Sequence, residues 1–183
     1  MDSSKIMKKA VNNWYVITGA PSSGKTTTLK YLEKSEYKVY FEWARIFIDL
    51  EIKKGKTLKE IRNDEVGFQK KIHKLKMSFE KKLNPKKVLF MERGLPDTQA
   101  YLEVINASID PTIKQSLRKC SYKKVFLMDL VRFKSDYART ESQEQAFMLD
   151  ELLEKCYAGL KIPVIRVPMM SVAKRAKFIL DNL

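Results

Sequence analysis

The stretch Trp14-Tyr15-Val16-Ile17-Thr18-Gly19-Ala20-Pro21-Ser22-Ser23-Gly24-Lys25-Thr26 joins a short apolar run to a loop framed by two glycines. The run is rich in aromatic and β-branched residues, which is typical of a buried strand in a parallel sheet. The loop has the spacing Gly-x4-Gly-Lys-Thr, which is the P-loop pattern. A helix-compatible segment, 27–34, follows it. The sequence therefore predicts a strand, a phosphate-binding loop and a helix.

The residue types of the loop suit phosphate binding. Glycines let backbone N–H groups turn inward toward phosphate oxygens, and the following helix adds its N-terminal dipole. We expect Lys25 to be an exposed side chain that places its charge on the β- and γ-phosphates, and the Thr26 hydroxyl to ligate Mg²⁺. The predicted nucleotide-binding residues are Gly19, Ala20, Pro21, Ser22, Ser23, Gly24, Lys25, Thr26 and Thr27.

Outward from this loop, short apolar runs alternate with helical patterns. This alternation predicts an α/β fold in which helices flank a five-stranded, doubly wound parallel sheet. We expect one domain over 1–183, with an N-terminal extension at 1–12. The remaining strands are predicted at 37–41, 88–91, 124–128 and 163–167. Helices are predicted at 42–53, within 57–84, at 97–105, from a cap at Thr140 to Tyr157 with Gly159 after its end, and from a cap at Ser171 to Leu183.

The composition excludes several classes of protein. The chain has 183 residues, of which 44% are hydrophobic and 32% charged, as expected of a globular protein. No apolar run is long enough for a membrane span, and no secretory signal follows the lysines of residues 1–10. Cys120 and Cys156 are too few for a disulfide framework and are interpreted as reduced core residues of a cytoplasmic chain.

The net charge is +14, from 36 Lys and Arg against 22 Asp and Glu. Only 8 of the basic residues are Arg, and we attribute the charge to a lysine-rich surface rather than to nucleic-acid binding. Residues 53–87 alone hold 13 basic and 4 acidic residues. Nucleic acid or acidic lipid could bind this stretch, but a solvated helix face is favoured. The only histidine, His73, is expected to be solvated there and receives no role. The apolar helix positions are Phe68, Ile72, Leu75, Phe79 and Leu83.

Charged residues follow the third predicted strand. Glu92 ends an apolar strand, where a carboxylate can hold Mg²⁺ or its water beside Thr26, as in a Walker-B arrangement; this role is favoured over that of an acid that caps a helix. Arg93 could reach phosphate or substrate, or could pair with Glu92. Asp97 is a weaker candidate for Mg²⁺ and could instead cap the next helix.

The chain resembles the NadR-like AAA-type P-loop family of ATPases and kinases, which includes the ribosylnicotinamide kinase half of NadR. The resemblance rests on the loop 19–27 and on segments that recur in the same order over nearly the whole chain. It implies a nucleotide-kinase-like fold, ATP or GTP with Mg²⁺ as ligand, and phosphoryl transfer. Trp43 departs from the pattern, since the family usually has a small residue there, and this departure bears on the shape of the acceptor pocket. The matching segments are Glu42-Trp43-Ala44-Arg45, Glu92-Arg93-Gly94-Leu95-Pro96-Asp97, Tyr137-Ala138-Arg139-Thr140-Glu141 and Val167-Pro168-Met169-Met170-Ser171-Val172 with Arg175 and Phe178.

The resemblance also assigns roles outside the loop. It implies that Glu42 is the general base for an acceptor hydroxyl. Arg45 lies one helical turn further on and would orient the acceptor. In the alternative, Glu42 and Arg45 only neutralise each other's charge. In kinase-like folds, a polar segment such as 129–141 is often a lid that closes arginines over the transferring phosphoryl group, here Arg132 and Arg139; the alternative is a solvated loop. Of the two, Arg139 matches the family pattern.

We therefore expect a cytoplasmic phosphotransferase that moves the γ-phosphoryl group of Mg·ATP to a small hydroxyl acceptor. The alternative is a nucleotide-dependent switch that binds a partner or an acidic lipid surface. A nucleic-acid-binding ATPase is suggested by charge alone. The expected catalytic residues are Lys25, Glu42, Arg93 and Arg139; the expected acceptor-binding residues are Glu42, Arg45 and Arg93; and the expected metal ligands are Thr26 and Glu92.

Overall fold

Five parallel strands form the sheet in the part of the chain that the structure, a computed structural model, describes, which is residues 11–130 and 142–183. The strand order is β2-β3-β1-β4-β5, and every pairing is parallel. The prediction of a five-stranded parallel sheet flanked by helices is confirmed. The strands are β1 Trp14–Thr18, β2 Val39–Tyr40, β3 Leu89–Glu92, β4 Lys124–Met128 and β5 Val164–Val167.

Helices cover both faces of this sheet. On one face, α1 and α8 pack together over Tyr15 and Ile17; on the other, α5 and α7 pack over Val16. No helix in the described part of the chain is long and apolar enough to cross a membrane. The helices are α1 Lys25–Lys34, α2 Trp43–Lys53, α3 Leu58–Ile61, α4 Glu65–Glu80, α5 Pro96–Val104, α6 Pro111–Lys119, α7 Gln143–Gly159 and α8 Val172–Asp181.

The central strand β1 is buried on both faces, which explains its nearly continuous apolar sequence. The Tyr15 ring stacks between Phe90 of β3 and Phe126 of β4, with ring centroids 5.5 and 6.2 Å apart. The burial of each such side chain contributes about 1.5–3 kcal/mol to the stability of the fold, so these rings hold β3 and β4 firmly against β1. In this register Ile17 pairs with Glu92, and the loop after β1 therefore lies beside the end of β3.

Several element boundaries differ from those expected. Helix α6 has no counterpart in the sequence prediction, although Asp110 accepts a hydrogen bond from the Thr112 N–H at 2.8 Å and Pro111 takes the first helical position. Helix α7 begins at Gln143, and its N-cap is Ser142 rather than Thr140. Gly159 is the last residue of that helix rather than the residue after it.

The segment predicted to hold one or two helices at 57–84 contains α3 and α4. Phe68 and Ile72 of α4 are buried as predicted, but Leu75 is 36% exposed and Lys76 is 5% exposed. The buried stripe therefore continues by a spacing of four to Lys76, and Leu75 lies about 100° around the helix from it. The Lys76 ammonium donates a hydrogen bond to the Gly94 carbonyl. Lys76 is thus an exception to the solvated face expected for the lysines of this stretch.

The expectation that His73 is solvated is wrong. The imidazole is 4% exposed, and its Nε2 lies 2.6 Å from Ser116 Oγ. Ser116 donates its own proton to the Ile113 carbonyl, so Nε2 must be the donor and the Nδ1 atom is unprotonated. Burial, and then the Lys76 charge, lower the pKa of His73 to about 4. His73 is therefore a neutral core residue that joins α4 to α6.

Replacement of His73 by Gln should make the protein lose less stability in mild acid. The unfolded imidazole takes up a proton near pH 6.5 and the native one only near pH 4. The unfolded state therefore binds more protons than the native state between these values. As the pH is lowered through this range, His73 alone decreases the free energy of unfolding by up to about 3 kcal/mol. Urea titrations from neutral pH to about pH 5 measure the slope. Lys74→Gln, at an exposed neighbour, is the control; equal slopes for the two variants would contradict the prediction.

Candidate active site

A cleft of about 300 Å³ opens at the carboxyl ends of the strands. One wall is the loop between β1 and α1, and the other is formed by side chains of α2, α4 and α5. This is where ligands bind in open α/β sheets. The side chains that line the cleft include Lys25, Thr26, Glu42, Trp43, Arg45, Ile48, Phe68, Gln69, Ile72, Lys76, Glu92, Arg93, Asp97 and Tyr101.

The loop has the backbone of a tight phosphate cradle. Gly19 and Gly24 have φ values of +143° and +85°, which side-chain-bearing residues rarely adopt. A Cβ atom at Gly19 would lie 2.6 Å from the Met128 carbonyl oxygen, and one at Gly24 would lie 2.7 Å from Arg175 Nη1. Both glycines are therefore required by close contacts as well as by conformation.

The expectation that Lys25 is exposed is wrong, because the side chain is 5% exposed. Its ammonium folds back over the loop and donates to the Gly19 carbonyl at 3.0 Å and the Ala20 carbonyl at 2.9 Å. A third contact joins it to Ser23 Oγ at 3.3 Å. Burial, and then the nearby Arg93 charge, lower the pKa of Lys25 to about 7. The loop therefore holds its own cation in place.

Thr26 and Glu92 meet at the mouth of the loop. The Thr26 hydroxyl donates to Glu92 Oε1 at 2.7 Å, although the two residues are 66 positions apart. Glu92 is 3% exposed, and burial, together with the Glu42 charge, raises the pKa of its carboxyl. A hydroxyl and a carboxylate at this separation provide the hard oxygen ligands that Mg²⁺ takes beside nucleotide phosphates. The residues that the sequence proposed for a metal are thus together, and they fit one.

Arg93 is held by two carboxylates, neither of which is that of Glu92. Its Nε donates to Glu42 Oε1 at 2.9 Å, and its Nη1 donates to Asp97 Oδ1 at 3.1 Å. Nη1 also donates to the Gly19 carbonyl at 3.2 Å, and the guanidinium lies 5.2 Å from the centre of the Tyr101 ring. The alternative in which Arg93 pairs with its neighbour Glu92 is therefore wrong. Arg93 ties the phosphate loop to α2 and α5.

Glu42 takes the N-cap position of α2, but its carboxylate makes no capping hydrogen bond and turns to Arg93 instead. Burial favours the neutral acid, but the charges of Arg93 and Lys25 outweigh it and lower the pKa of Glu42. The carboxylate is therefore ionised at neutral pH. Arg45, one turn further along α2, also lines the cleft.

Asp97 is a structural anchor. Its Oδ1 accepts from the Thr18 hydroxyl at 2.5 Å and from Arg93, and its Oδ2 accepts from the Gly94 N–H at 3.0 Å and from the Tyr157 hydroxyl. With four donors on two oxygens and 2% exposure, the carboxylate has little capacity left for a metal. These contacts favour the structural alternative for Asp97 over the Mg²⁺ alternative.

Sequence reasoning missed several residues of the cleft. Lys76 and Gln69 of α4 are buried side chains that line it, and Tyr101 of α5 lies against Arg93. The sequence of a basic, polar helix does not indicate which of its side chains face the interior. Only Tyr101 could have been found from the sequence, because it lies one helical turn beyond Asp97. Arg132 and Arg139 lie outside the described residues, as does most of the candidate lid at 129–141.

The chain belongs to a family of AAA domains, whose model matches residues 14–175. No curated protein matches the chain. Among solved structures, a NadR protein in complex with NR aligns with a TM-score of 0.68 and 13% identity, over 93% of this chain and 50% of that one. The chain therefore spans half the length of that protein.

Two smaller proteins align over nearly their full length. Deoxyadenosine kinase from M. mycoides gives a TM-score of 0.61 at 16% identity, covering 92% of this chain and 97% of that one. Shikimate kinase from Acinetobacter baumannii gives 0.55 at 18% identity, covering 95% and 93%. The resemblance found in the sequence is confirmed: the fold is that of a NadR-like P-loop kinase.

Replacement of Asp97 by Ala should destabilise the fold. The change removes the acceptor of the buried Thr18 and Tyr157 hydroxyls and one of the two carboxylates that pair with Arg93, which costs about 3–5 kcal/mol. Asp97→Asn keeps one acceptor oxygen and should cost less. Urea unfolding without ligand measures both. The control is Asp181→Ala, which removes an exposed i,i+4 ion pair and should cost under about 1 kcal/mol. A loss for Asp97→Ala no larger than the control's would contradict the anchoring role.

Proposed function

We propose that the protein is a cytoplasmic kinase that transfers the γ-phosphoryl group of Mg·ATP to the hydroxyl group of a small acceptor. The supporting observation is that one cleft joins two differently built ends through the Glu42–Arg93 pair. The phosphate loop forms one end. The other is lined by apolar side chains of α2 and α4, with aromatic and amide groups beside them. Nucleotide hydrolysis alone needs only the first end, whereas transfer needs both.

The phosphate end supplies positive charge and orientation. Lys25 would move from the loop carbonyls to the β- and γ-phosphates, and Thr26 and Glu92 would hold Mg²⁺ or its waters. When bound, the metal neutralises charge on the phosphate oxygens. GTP would fit the same loop, because the backbone contacts a P-loop makes are with phosphates and not with the base.

The Glu42–Arg93 pair, which joins the two ends of the cleft, would orient the acceptor hydroxyl. Glu42 stays ionised beside Arg93, so it is a weak base that can accept the hydroxyl proton late in the transfer. Phosphoryl transfer passes through a loose transition state and depends mainly on positioning and charge, so a weak base suffices. Arg93 keeps the carboxylate aimed, and Arg45 would contact the acceptor. Arg139 would close over the phosphates from the candidate lid.

The acceptor end favours a compact molecule with a flat or apolar part. Ile48, Phe68 and Ile72 form an apolar floor, and Gln69 lies beside it with a polar amide. The structural neighbours named above include kinases of a nucleoside and of shikimate, both small hydroxyl compounds, which supports this acceptor class. The Trp43 indole, where the family usually has a small residue, would narrow the entrance.

Glu92→Gln should raise the Mg²⁺ concentration needed for half-maximal turnover by about tenfold or more, because it removes the metal-holding charge beside Thr26. Affinity for metal-free ADP should change little, since the phosphate loop is intact. Turnover and calorimetric titrations measure the two effects. Glu33→Gln, at an exposed residue of α1, is the charge-matched control. Identical Mg²⁺ curves for the two variants would remove Glu92 from the metal site.

Glu42→Gln should lower kcat for the acceptor by about 10²–10⁴-fold with little change in ATP affinity, because the base acts on the acceptor's proton. Arg45→Ala should instead raise the acceptor's KM. ATP consumption is measured across a panel of nucleosides, including nicotinamide riboside, and other small hydroxyl compounds.

Two outcomes would replace the kinase proposal. If no panel member is phosphorylated and wild type and Glu42→Gln hydrolyse ATP equally, the nucleotide-dependent switch is the better explanation. Retention on nucleic acid with a steep dependence on salt would favour a nucleic-acid-binding ATPase.

A further inference from the structure

Arg175 contacts the phosphate loop from outside the cleft. It lies in the first turn of α8, is 3% exposed, and donates from Nη1 to the Ser23 carbonyl at 2.6 Å. The described residues that line the cleft include Gly24, Lys25 and Thr26 but not Arg175. The contact joins residues 152 positions apart and makes α8 the support on which the loop rests.

This contact fixes the direction of one peptide unit in the loop. The described residues contain no cis peptide bonds, so the Ser23–Gly24 unit is planar and trans. In such a unit the C=O and N–H bonds point in opposite directions. Because Arg175 holds the Ser23 carbonyl on its own side, the Gly24 N–H is aimed away from α8.

Gly24 and Arg175 are matched to each other. The φ of +85° at Gly24 and the 2.7 Å separation between its would-be Cβ and Arg175 Nη1 show that the guanidinium occupies the space a side chain would need. A glycine at this position of the P-loop thus serves two purposes: it permits the turn and it admits the cation.

Most of the Arg175 guanidinium has no hydrogen-bond acceptor among residues 11–130 and 142–183. Nε and Nη2 are buried without a partner in the described part of the chain. Asp129 is the acid whose charge acts on Arg175, but Asp129 accepts a hydrogen bond from Arg166 at 3.4 Å. Burial lowers the pKa of Arg175, because the charged form is poorly solvated there. A buried cation without a paired acid is costly, and anionic phosphates on the other side of the loop would offset that cost.

We propose that Arg175 is a positioning residue of the phosphate cradle, which aims the Gly24 N–H at the bound phosphates and adds a buried positive charge behind them. The inference rests on the nucleotide-binding part of the proposed function. It assigns Arg175 to the phosphates and not to the base or the acceptor.

The test compares Arg175→Met with Lys174→Met. Lys174 is the exposed neighbour in the same helix, so both variants lose one positive charge and only one loses the loop contact. Calorimetry measures the Kd of ADP and of inorganic pyrophosphate for each variant and for wild type. We expect Arg175→Met to bind both probes at least about tenfold more weakly than Lys174→Met does. Arg175→Lys, which keeps a charged donor, should recover part of the loss of both.

Different outcomes separate the two proposals. If wild type binds neither probe, nucleotide binding itself fails. If wild type binds but Arg175→Met binds as tightly as Lys174→Met, the role of Arg175 is overturned. A loss for ADP but not for pyrophosphate also overturns it, because Arg175 would then act on the nucleoside. Should Arg175→Met not fold, as judged by circular dichroism, Arg175→Gln takes its place under the same criteria.

Discussion

The arrangement of the cleft depends on the buried guanidinium of Arg93. It bonds Glu42 at the start of α2, Asp97 in α5 and the Gly19 carbonyl at the entry to the phosphate loop. Arg93 has a φ of +63°, an uncommon conformation for a residue with a side chain. Four hydrogen bonds to Asp97 hold the turn in which that conformation occurs. Such backbone conformations persist where the surroundings over-determine them, and they cluster at functional sites.

One arginine therefore couples both ends of the cleft. A movement of α2 that changed the acceptor end would also shift Glu42. Because Arg93 bonds both Glu42 and the Gly19 carbonyl, this movement would displace Gly19 as well. The same coupling explains why Glu42 is ionised although it is largely buried, since the charge of Arg93 offsets the cost of desolvation. Positioning and charge are supplied together, and these are what phosphoryl transfer needs most.

The sequence predicted those parts of the molecule that local pattern determines. The phosphate loop, the five strands and the acid at the end of β3 all follow from short motifs, because each is set by neighbouring residues. The Glu42–Arg93 pair could not be predicted, since its members are 51 positions apart and meet only through the sheet. The burial of His73 and Lys76 was missed for a related reason. A helix rich in lysine gives no sign that two of its polar residues face Ser116 and Gly94.

The acids that line the cleft lie close to its basic side chains. The charges of Glu42 and Asp97 act on Lys25, Lys76 and Arg93, so acids largely balance the basic side chains beside the phosphate loop. A polyanionic nucleotide would therefore meet little excess positive charge from these side chains, despite the net charge of +14 on the whole chain. Overall charge does not change this balance, because exposed lysines are screened within about 10 Å. In the proposed kinase, a divalent cation at Thr26 and Glu92 and the buried Arg175 behind the loop would add local positive charge. Phosphate binding would then depend on the metal as much as on Lys25.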